Sequence, residues 1–212
     1  MRTLVVGDVH GCKDELRALL DEAQPDRTVL VGDLFTKGPK PRGVWRLIEK
    51  HNIEAVLGNH DEHLLKVLEG KRTANRSTAR CIEKLNKSGP AWQDWLRSLP
   101  LFATAGDFTV VHAGLHPSGD LERTSRATAL YRRRWPRERR ADPLWHQVYW
   151  GERRVIFGHD AVRGLVRVER DGEPLIIGLD SGCVYGGQLS GYLVEEDRVI
   201  QVPAKQVYKA VG

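Results

Sequence analysis

The chain has 212 residues, of which 41% are hydrophobic and 29% charged, values typical of one folded domain and unlike those of disordered or collagen-like chains. Its three cysteines are an odd number without a C-x-x-C pair, which argues against a disulfide framework or a thiolate zinc site. The net charge of +5 is concentrated between residues 123 and 140, a stretch that contains eight arginines and one glutamate. This arginine-rich stretch could bind phosphates, nucleic acid or an acidic partner, or be a solvated loop.

The beginning of the chain has a short apolar run, residues 3–6, before Gly7 and Asp8. This run is too short for a signal-peptide core, and no later apolar stretch reaches the roughly 18 residues of a membrane span. We therefore expect a soluble, cytoplasmic protein.

Three strand–loop–helix units open the chain. Each pairs an apolar, β-branched run with a segment of helical apolar spacing: a strand at 3–7 with a helix at 13–23, a strand at 28–31 with a helix that begins at Pro41, and a strand at 53–57 with a helix that begins at Asp61. Such units predict a largely parallel sheet with helices packed on it.

The remainder of the chain predicts further helices and then strands. Residues from about 70 to 100 have a helical, partly polar pattern, which we interpret as an insertion over the sheet edge. Residues 101–105 and 108–112 flank Gly106-Asp107 and predict a hairpin, and the arginine-rich segment covers about 119–143. The last third predicts a strand-rich meander, with strands at 155–158, 165–169, 175–179, 189–194 and 198–202. We expect one α/β domain over residues 1–212.

Polar side chains follow five of the predicted strands. They lie in G-D-V-H-G (7–11), G-D-L-F-T-K-G (32–38), G-N-H-D (58–61), H-A-G (112–114) and F-G-H (157–159). Ligands of open α/β sheets bind beyond the carboxyl ends of the strands, so these loops can converge on one site.

The side chains of these loops are metal ligands by type. They comprise two Asp, one Asn and four His, which suit Mn²⁺, Fe or Zn²⁺: Asp8, His10, Asp33, Asn59, His60, His112 and His159. Two ions at about 3.5–4 Å need a shared anionic bridge, and a carboxylate such as that of Asp33 can supply it. His51, His63, His116 and His146 lack this context, and we interpret them as surface or core residues.

The five motifs, in this order, resemble those of the phosphoprotein-phosphatase superfamily of binuclear metallophosphoesterases. The resemblance runs from residue 3 to about residue 193, with the middle segment unmatched. Within the superfamily, G-N-H-D-E-H-L-L (58–65) and L-D-S-G-C-V-Y-G-G (179–187) look most like bacterial diadenosine-tetraphosphate hydrolases.

The resemblance implies a fold, a metal centre and an acid. The fold would be a four-layer αββα sandwich of two mixed sheets, as in calcineurin-like enzymes. Asp8, His10 and Asp33 would hold one divalent ion, and Asp33, Asn59, His112 and His159 a second. The ions would be Mn²⁺, with Fe, Zn²⁺ or Co²⁺ as alternatives. A hydroxide activated between them would attack phosphorus while His60 protonates the leaving oxygen.

One departure from the protein-phosphatase branch concerns residues 36 and 37. That branch has a carboxylate that orients the catalytic His, followed by an Arg that binds phosphate, whereas this chain has Thr36 and Lys37. His60 should then be less basic than the catalytic His of that branch, unless Asp61 or another acid supplies the missing charge. Lys37 lacks the bidentate fork of Arg, so the candidate phosphate-binding residues are Lys37, Arg132, Arg133, Arg134 and Tyr185.

The sequence thus predicts a metal-dependent hydrolase of dinucleoside polyphosphates. Its substrate would be a phosphate-bearing small molecule or phosphoprotein, with nucleic acid possible through the arginine-rich segment and no membrane partner. One alternative is a protein serine/threonine or tyrosine phosphatase with broad phosphomonoesterase activity. Another is an RNA-binding or RNA 5′-end processing module.

Overall fold

The computed structural model of the protein describes residues 1–210, which form two five-stranded sheets and six α-helices. The strands are β1 (Thr3–Val6), β2 (Arg27–Leu30), β3 (Glu54–Ala55), β4 (Phe102–Ala105), β5 (Phe108–Val111), β6 (Arg154–Phe157), β7 (Val166–Arg170), β8 (Glu173–Gly178), β9 (Gln188–Leu193) and β10 (Arg198–Pro203). The helices are α1 (Lys13–Ala23), α2 (Pro41–His51), α3 (Asn59–Leu68), α4 (Arg76–Asn86), α5 (Ala91–Ser98) and α6 (Arg126–Tyr131). Short 3₁₀ turns cover Trp145–Val148, Cys183–Tyr185 and Val194–Glu196.

The first sheet has the order β10-β9-β1-β2-β3. Strands β1, β2 and β3 are parallel, as the three strand–loop–helix units predict, and β9 is antiparallel to β1. Because β1 is buried on both faces, its residues are all apolar or β-branched. Leu4 and Val6 face the helices, whereas Val5 faces the other sheet.

The second sheet has the order β4-β5-β6-β8-β7, with β5, β6 and β8 parallel. Its inner face packs on the inner face of the first sheet through alternate side chains of both, among them Val5, Val29, Val110, Ile156 and Ile177. The carboxyl ends of the parallel strands of both sheets therefore lie at one edge of the sandwich.

Helices cover the outer faces and complete the four layers. The predicted apolar stripe of α1 is buried on the first sheet, in the same core as Leu85 of α4 and Trp92 of α5. These two helices therefore share the apolar core on this side of the first sheet. Beyond the second sheet, Ala129 of α6 and Trp145 form a third core. None of the helices within residues 1–210 is long and apolar enough to cross a bilayer.

The last third of the chain is not one meander. β6, β7 and β8 belong to the second sheet, whereas β9 and β10 pair in the first. The turns between β7 and β8 and between β9 and β10 are hairpins, as the sequence predicts. The expectation is wrong because turn residues show where a strand ends but not which sheet the next strand joins. The segment 179–187 carries the chain from one sheet to the other.

Candidate metal centre and substrate cleft

The structure brings all seven candidate ligands together at the carboxyl edge of the sandwich. They come from five loops, which follow β1, β2, β3, β5 and β6, so both sheets contribute. All seven side chains are buried or half-buried: Asp8, His10, Asp33, Asn59, His60, His112 and His159.

Asp33 lies at the middle of this group. Its Oδ2 is 3.4 Å from Nε2 of His10 and its Oδ1 is 3.6 Å from Nε2 of His112. Two sets of three ligand atoms each fall within 4.8 Å of one another, one from His10, Asp33 and His60 and the other from Asp8, Asp33 and His112. Asp33 is the member that both sets share.

Main-chain carbonyls orient the two histidines of the second sheet. Nδ1 of His112 lies 2.9 Å from the carbonyl oxygen of Val31, and Nε2 of His159 lies 3.3 Å from that of Tyr131. Because a carbonyl can only accept, these nitrogens carry the protons. The other ring nitrogens then carry lone pairs and lie 2.9 Å and 3.2 Å from Oδ1 of Asn59, which is also an acceptor, so these three atoms can share a cation rather than a hydrogen bond. Burial lowers the pKa of both histidines, which favours the neutral form that binds metals.

Buried carboxylates give the site an excess of negative charge. Burial raises the pKa of Asp180 to about 6, and burial followed by the charge of Asp180 raises the pKa of Asp8. Such a cluster is costly without a cation. The ammonium of Lys37, which lies 3.0 Å from Nε2 of His10, supplies only one positive charge. Oxygen and imidazole donors around uncompensated negative charge fit divalent metal ions.

Asp180 is a site residue that the sequence reasoning missed. It follows β8, is 7% exposed and lines the same cleft as Asp8 and Asp33. Its signal was present in the sequence, because L-D-S-G places an aspartate at a strand end as G-D does in the first two loops.

Two glycines leave room for the carboxylates. A Cβ on Gly158 would lie 2.1 Å from Oδ1 of Asp8, and one on Gly58 would lie 2.4 Å from Oδ1 of Asp33. The ligands themselves are turned sharply off their strands, since His10, Asp33 and His159 have φ values of 45°, 53° and 70°. Left-handed backbone at non-glycine residues concentrates at functional sites.

Asp61, which the sequence predicts as a catalytic or orienting acid, forms no hydrogen bond with His60 among the described residues. Its buried carboxylate accepts main-chain N–H bonds from Asp33 at 2.7 Å, Leu34 at 3.1 Å and Gly58 at 3.1 Å. Asp61 therefore ties the loop after β2 to the start of α3 and positions Asp33.

Asp61→Ala is expected to lower the free energy of unfolding by about 2–4 kcal/mol, because three buried donors lose their acceptor. Urea denaturation in the presence of EDTA measures this loss without a contribution from bound metal. Asp21→Ala, which removes an exposed carboxylate on α1, is the matched control. Equal stability of the two variants would contradict the role given to Asp61.

Thr36 contacts His10. Its buried hydroxyl lies 3.5 Å from Nδ1 of His10. The described residues show no hydrogen bond between Thr36 and His60, so Thr36 supports a candidate ligand.

The candidate phosphate-binding residues divide into two groups. Lys37, Tyr185, Arg133 and Arg134 line a cleft of about 620 Å³ that contains the metal centre. Arg132 turns away from it, with its guanidinium 5.4 Å from the ring centroid of Trp135 and 3.6 Å from a carboxylate oxygen of Glu138. Arg132 is not among the residues that line the cleft, because its guanidinium is held within its own loop, and its contact with phosphate stays a prediction.

The far wall of the cleft adds residues that the sequence did not single out. Arg163 lines it beside Val162, whose side chain is 86% exposed. The cleft thus combines metal ligands, arginines and an exposed apolar surface.

Known proteins are similar to this chain in sequence and fold. A protein of Vibrio parahaemolyticus is named symmetrical bis(5'-nucleosyl)-tetraphosphatase. It is 29% identical to this chain in an alignment 259 positions long, which covers 90% of this chain and 94% of that protein. A Bacillus subtilis protein named asymmetrical bis(5'-nucleosyl)-tetraphosphatase is 29% identical, covering 96% and 95%. A crystal structure described as a candidate diadenosine tetraphosphatase superposes with a TM-score of 0.81 at 36% identity, covering 96% and 93%.

The model of the calcineurin-like phosphoesterase family matches residues 1–180. This span contains the five loops of the metal centre and Asp180. The sandwich of two mixed sheets flanked by helices is the fold of that family, which acts with divalent metal ions. The chain therefore belongs to the calcineurin-like phosphoesterases and is a metal-dependent hydrolase of phosphate ester or anhydride bonds.

Proposed function

We propose that this enzyme hydrolyses dinucleoside polyphosphates such as diadenosine tetraphosphate. The observation that carries this proposal is the cleft itself, in which candidate metal ligands adjoin the cations Lys37, Arg133, Arg134 and Arg163. A chain of four phosphates carries several negative charges that such a row can neutralise. The names of the relatives from Vibrio parahaemolyticus and Bacillus subtilis support the same substrate class.

We assign the metal ligands in two groups that share Asp33. Asp8, His10 and Asp33 would hold one ion, and Asp33, Asn59, His112 and His159 the other. Mn²⁺ is the proposed metal, since the donors are oxygen and imidazole nitrogen without thiolate. When bound, two such ions supply charge neutralisation at phosphorus and an activated water.

His60 is proposed to protonate the leaving oxygen. It lies in the first turn of α3, and its main-chain N–H donates to Oδ1 of Asp33 at 2.9 Å. Its ring stands edge-on to that of His10, with centroids 5.1 Å apart. The imidazole would therefore be held beside the reacting phosphoryl group, and its protonated form would supply the proton that anhydride cleavage needs. Burial lowers the pKa of His60, and the negative charge of Asp33 opposes this shift.

The substrate is proposed to bind along the cations of the cleft. Nη2 of Arg133 donates to the carbonyl of His159 at 2.9 Å, which places this guanidinium beside a candidate metal ligand. The ammonium of Lys37 lies 5.4 Å from the ring centroid of Tyr185. Arg133, Arg134 and Lys37 would hold phosphates, and Tyr185 with Val162 would contact a nucleoside.

A substrate panel tests the proposal on enzyme reconstituted with Mn²⁺. The panel contains diadenosine tetraphosphate, p-nitrophenyl phosphate, a phosphoserine peptide and a 5′-triphosphorylated RNA. We expect kcat/KM for the dinucleotide to exceed the others by about a hundredfold, since only it can use the whole cleft. EDTA should abolish turnover and Mn²⁺ restore it. A preference for the peptide would indicate a protein phosphatase, and a preference for RNA would indicate 5′-end processing.

A further inference from the structure

A second cleft lies against the first and is separated from it by Asn59, His60 and Lys37, which line both. It has a volume of about 400 Å³, and its other walls include Arg72 and Lys209. We propose that this second cleft binds the phosphates of the leaving nucleotide. The inference rests on the proposed function and assigns the two halves of the substrate to the two clefts.

The position of His60 decides which half of the substrate enters the second cleft. The ligands Asp8, Asp33 and His159 line only the first cleft, whereas His60 lines both. The phosphoryl group that is attacked must lie at the metal centre. The leaving oxygen must lie at His60, so the phosphates attached to that oxygen extend past His60 into the second cleft.

The second cleft is positively charged. Arg72, Lys209, His63 and Lys37 line it, and no carboxylate from the described chain does. Neither Arg72 nor Lys209 forms an ion pair with a side chain in residues 1–210. Arg72 and Lys209 are therefore uncompensated cations, which attract a polyphosphate.

Glu62, which contacts the cleft residue Tyr131, is already neutralised. Its carboxylate accepts hydrogen bonds from Lys66 at 2.6 Å, Arg126 at 2.7 Å and the Tyr131 hydroxyl at 2.6 Å. Because Glu62 is paired with these partners, it does not compete with a phosphate for Arg72 and Lys209.

The segment that carries Lys209 is held in place. The main-chain N–H of Lys209 donates to the carbonyl of Val184 at 2.9 Å, and the neighbouring Tyr208 hydroxyl donates to Glu15 at 2.6 Å. Lys209 is thereby presented to the cleft from a fixed backbone, which lowers the entropy cost of binding a phosphate.

The test is the double variant Arg72→Ala/Lys209→Ala in Mn²⁺-loaded enzyme. The KM for diadenosine tetraphosphate should rise about tenfold or more, because two charge-assisted contacts are lost. The kcat/KM for p-nitrophenyl phosphate should stay within about twofold, since its leaving group carries no phosphate. The control is Lys71→Ala/Lys205→Ala, which removes two exposed neighbouring lysines outside the cleft. An unchanged KM for the dinucleotide, or equal losses on both substrates, would overturn the inference.

Calorimetric binding of a methylene-bridged, non-hydrolysable diadenosine tetraphosphate separates this inference from the proposed function. The double variant should bind it about tenfold more weakly than the wild type and the control. If the wild type binds this analogue through Arg72 and Lys209 but does not hydrolyse the natural dinucleotide, the proposed function fails and the second cleft stands. Equal affinity of all three proteins would overturn the second cleft while leaving hydrolysis intact.

Discussion

Asp33→Asn is expected to lower kcat by about a thousandfold or more, because the amide cannot supply the negative charge that two metal ions would share. Asp33 is the residue common to both groups of ligand atoms. Steady-state kinetics with diadenosine tetraphosphate and elemental analysis of the purified variant measure the loss of turnover and of bound metal together.

The fold should survive this substitution. Asparagine tolerates the left-handed backbone that Asp33 adopts, with φ of 53°, and its Oδ1 can still accept the N–H of His60. Asp171→Asn is the matched control, since Asp171 has φ of 55° and lies exposed in the turn between β7 and β8. Normal turnover of Asp33→Asn with its metals bound would exclude a bridging role.

His60→Ala is expected to reduce kcat on diadenosine tetraphosphate by about 10²–10⁴-fold, the usual contribution of a positioned general acid. The loss on p-nitrophenyl phosphate should be much smaller, because p-nitrophenolate leaves without being protonated. The measurement is the ratio of the two losses, together with the metal content, which should stay at the wild-type value since the six proposed ligands remain.

The control for His60→Ala is His51→Ala, at the exposed end of α2. That variant should match the wild type on both substrates. An equal loss on the two substrates in His60→Ala would contradict proton donation, and a loss of metal would show that His60 is itself a ligand.

The clustering of the candidate metal ligands could be predicted from sequence because these residues follow local rules. An apolar run followed by Gly and a ligand marks the carboxyl end of a buried strand, and parallel strands bring those ends to one edge. Helix α1 and the hairpin of β4 and β5 could likewise be predicted from short-range patterns, the apolar spacing of the helix and the turn residues of the hairpin. The family, its fold and the position of Asp33 therefore follow from residues close to one another along the chain.

Only the tertiary structure decided the roles that depend on where distant segments meet. Asp61 could have faced His60, but its carboxylate accepts main-chain N–H groups from the loop after β2. Arg132 and Arg133 are neighbours in sequence, yet only Arg133 lines the substrate cleft. Arg72 and Lys209 are far apart in the sequence, yet both line the second cleft. Side-chain direction and long-range contact are set by packing rather than by local pattern, so sequence alone determined the chemistry of the centre, whereas the fold determined which groups surround it.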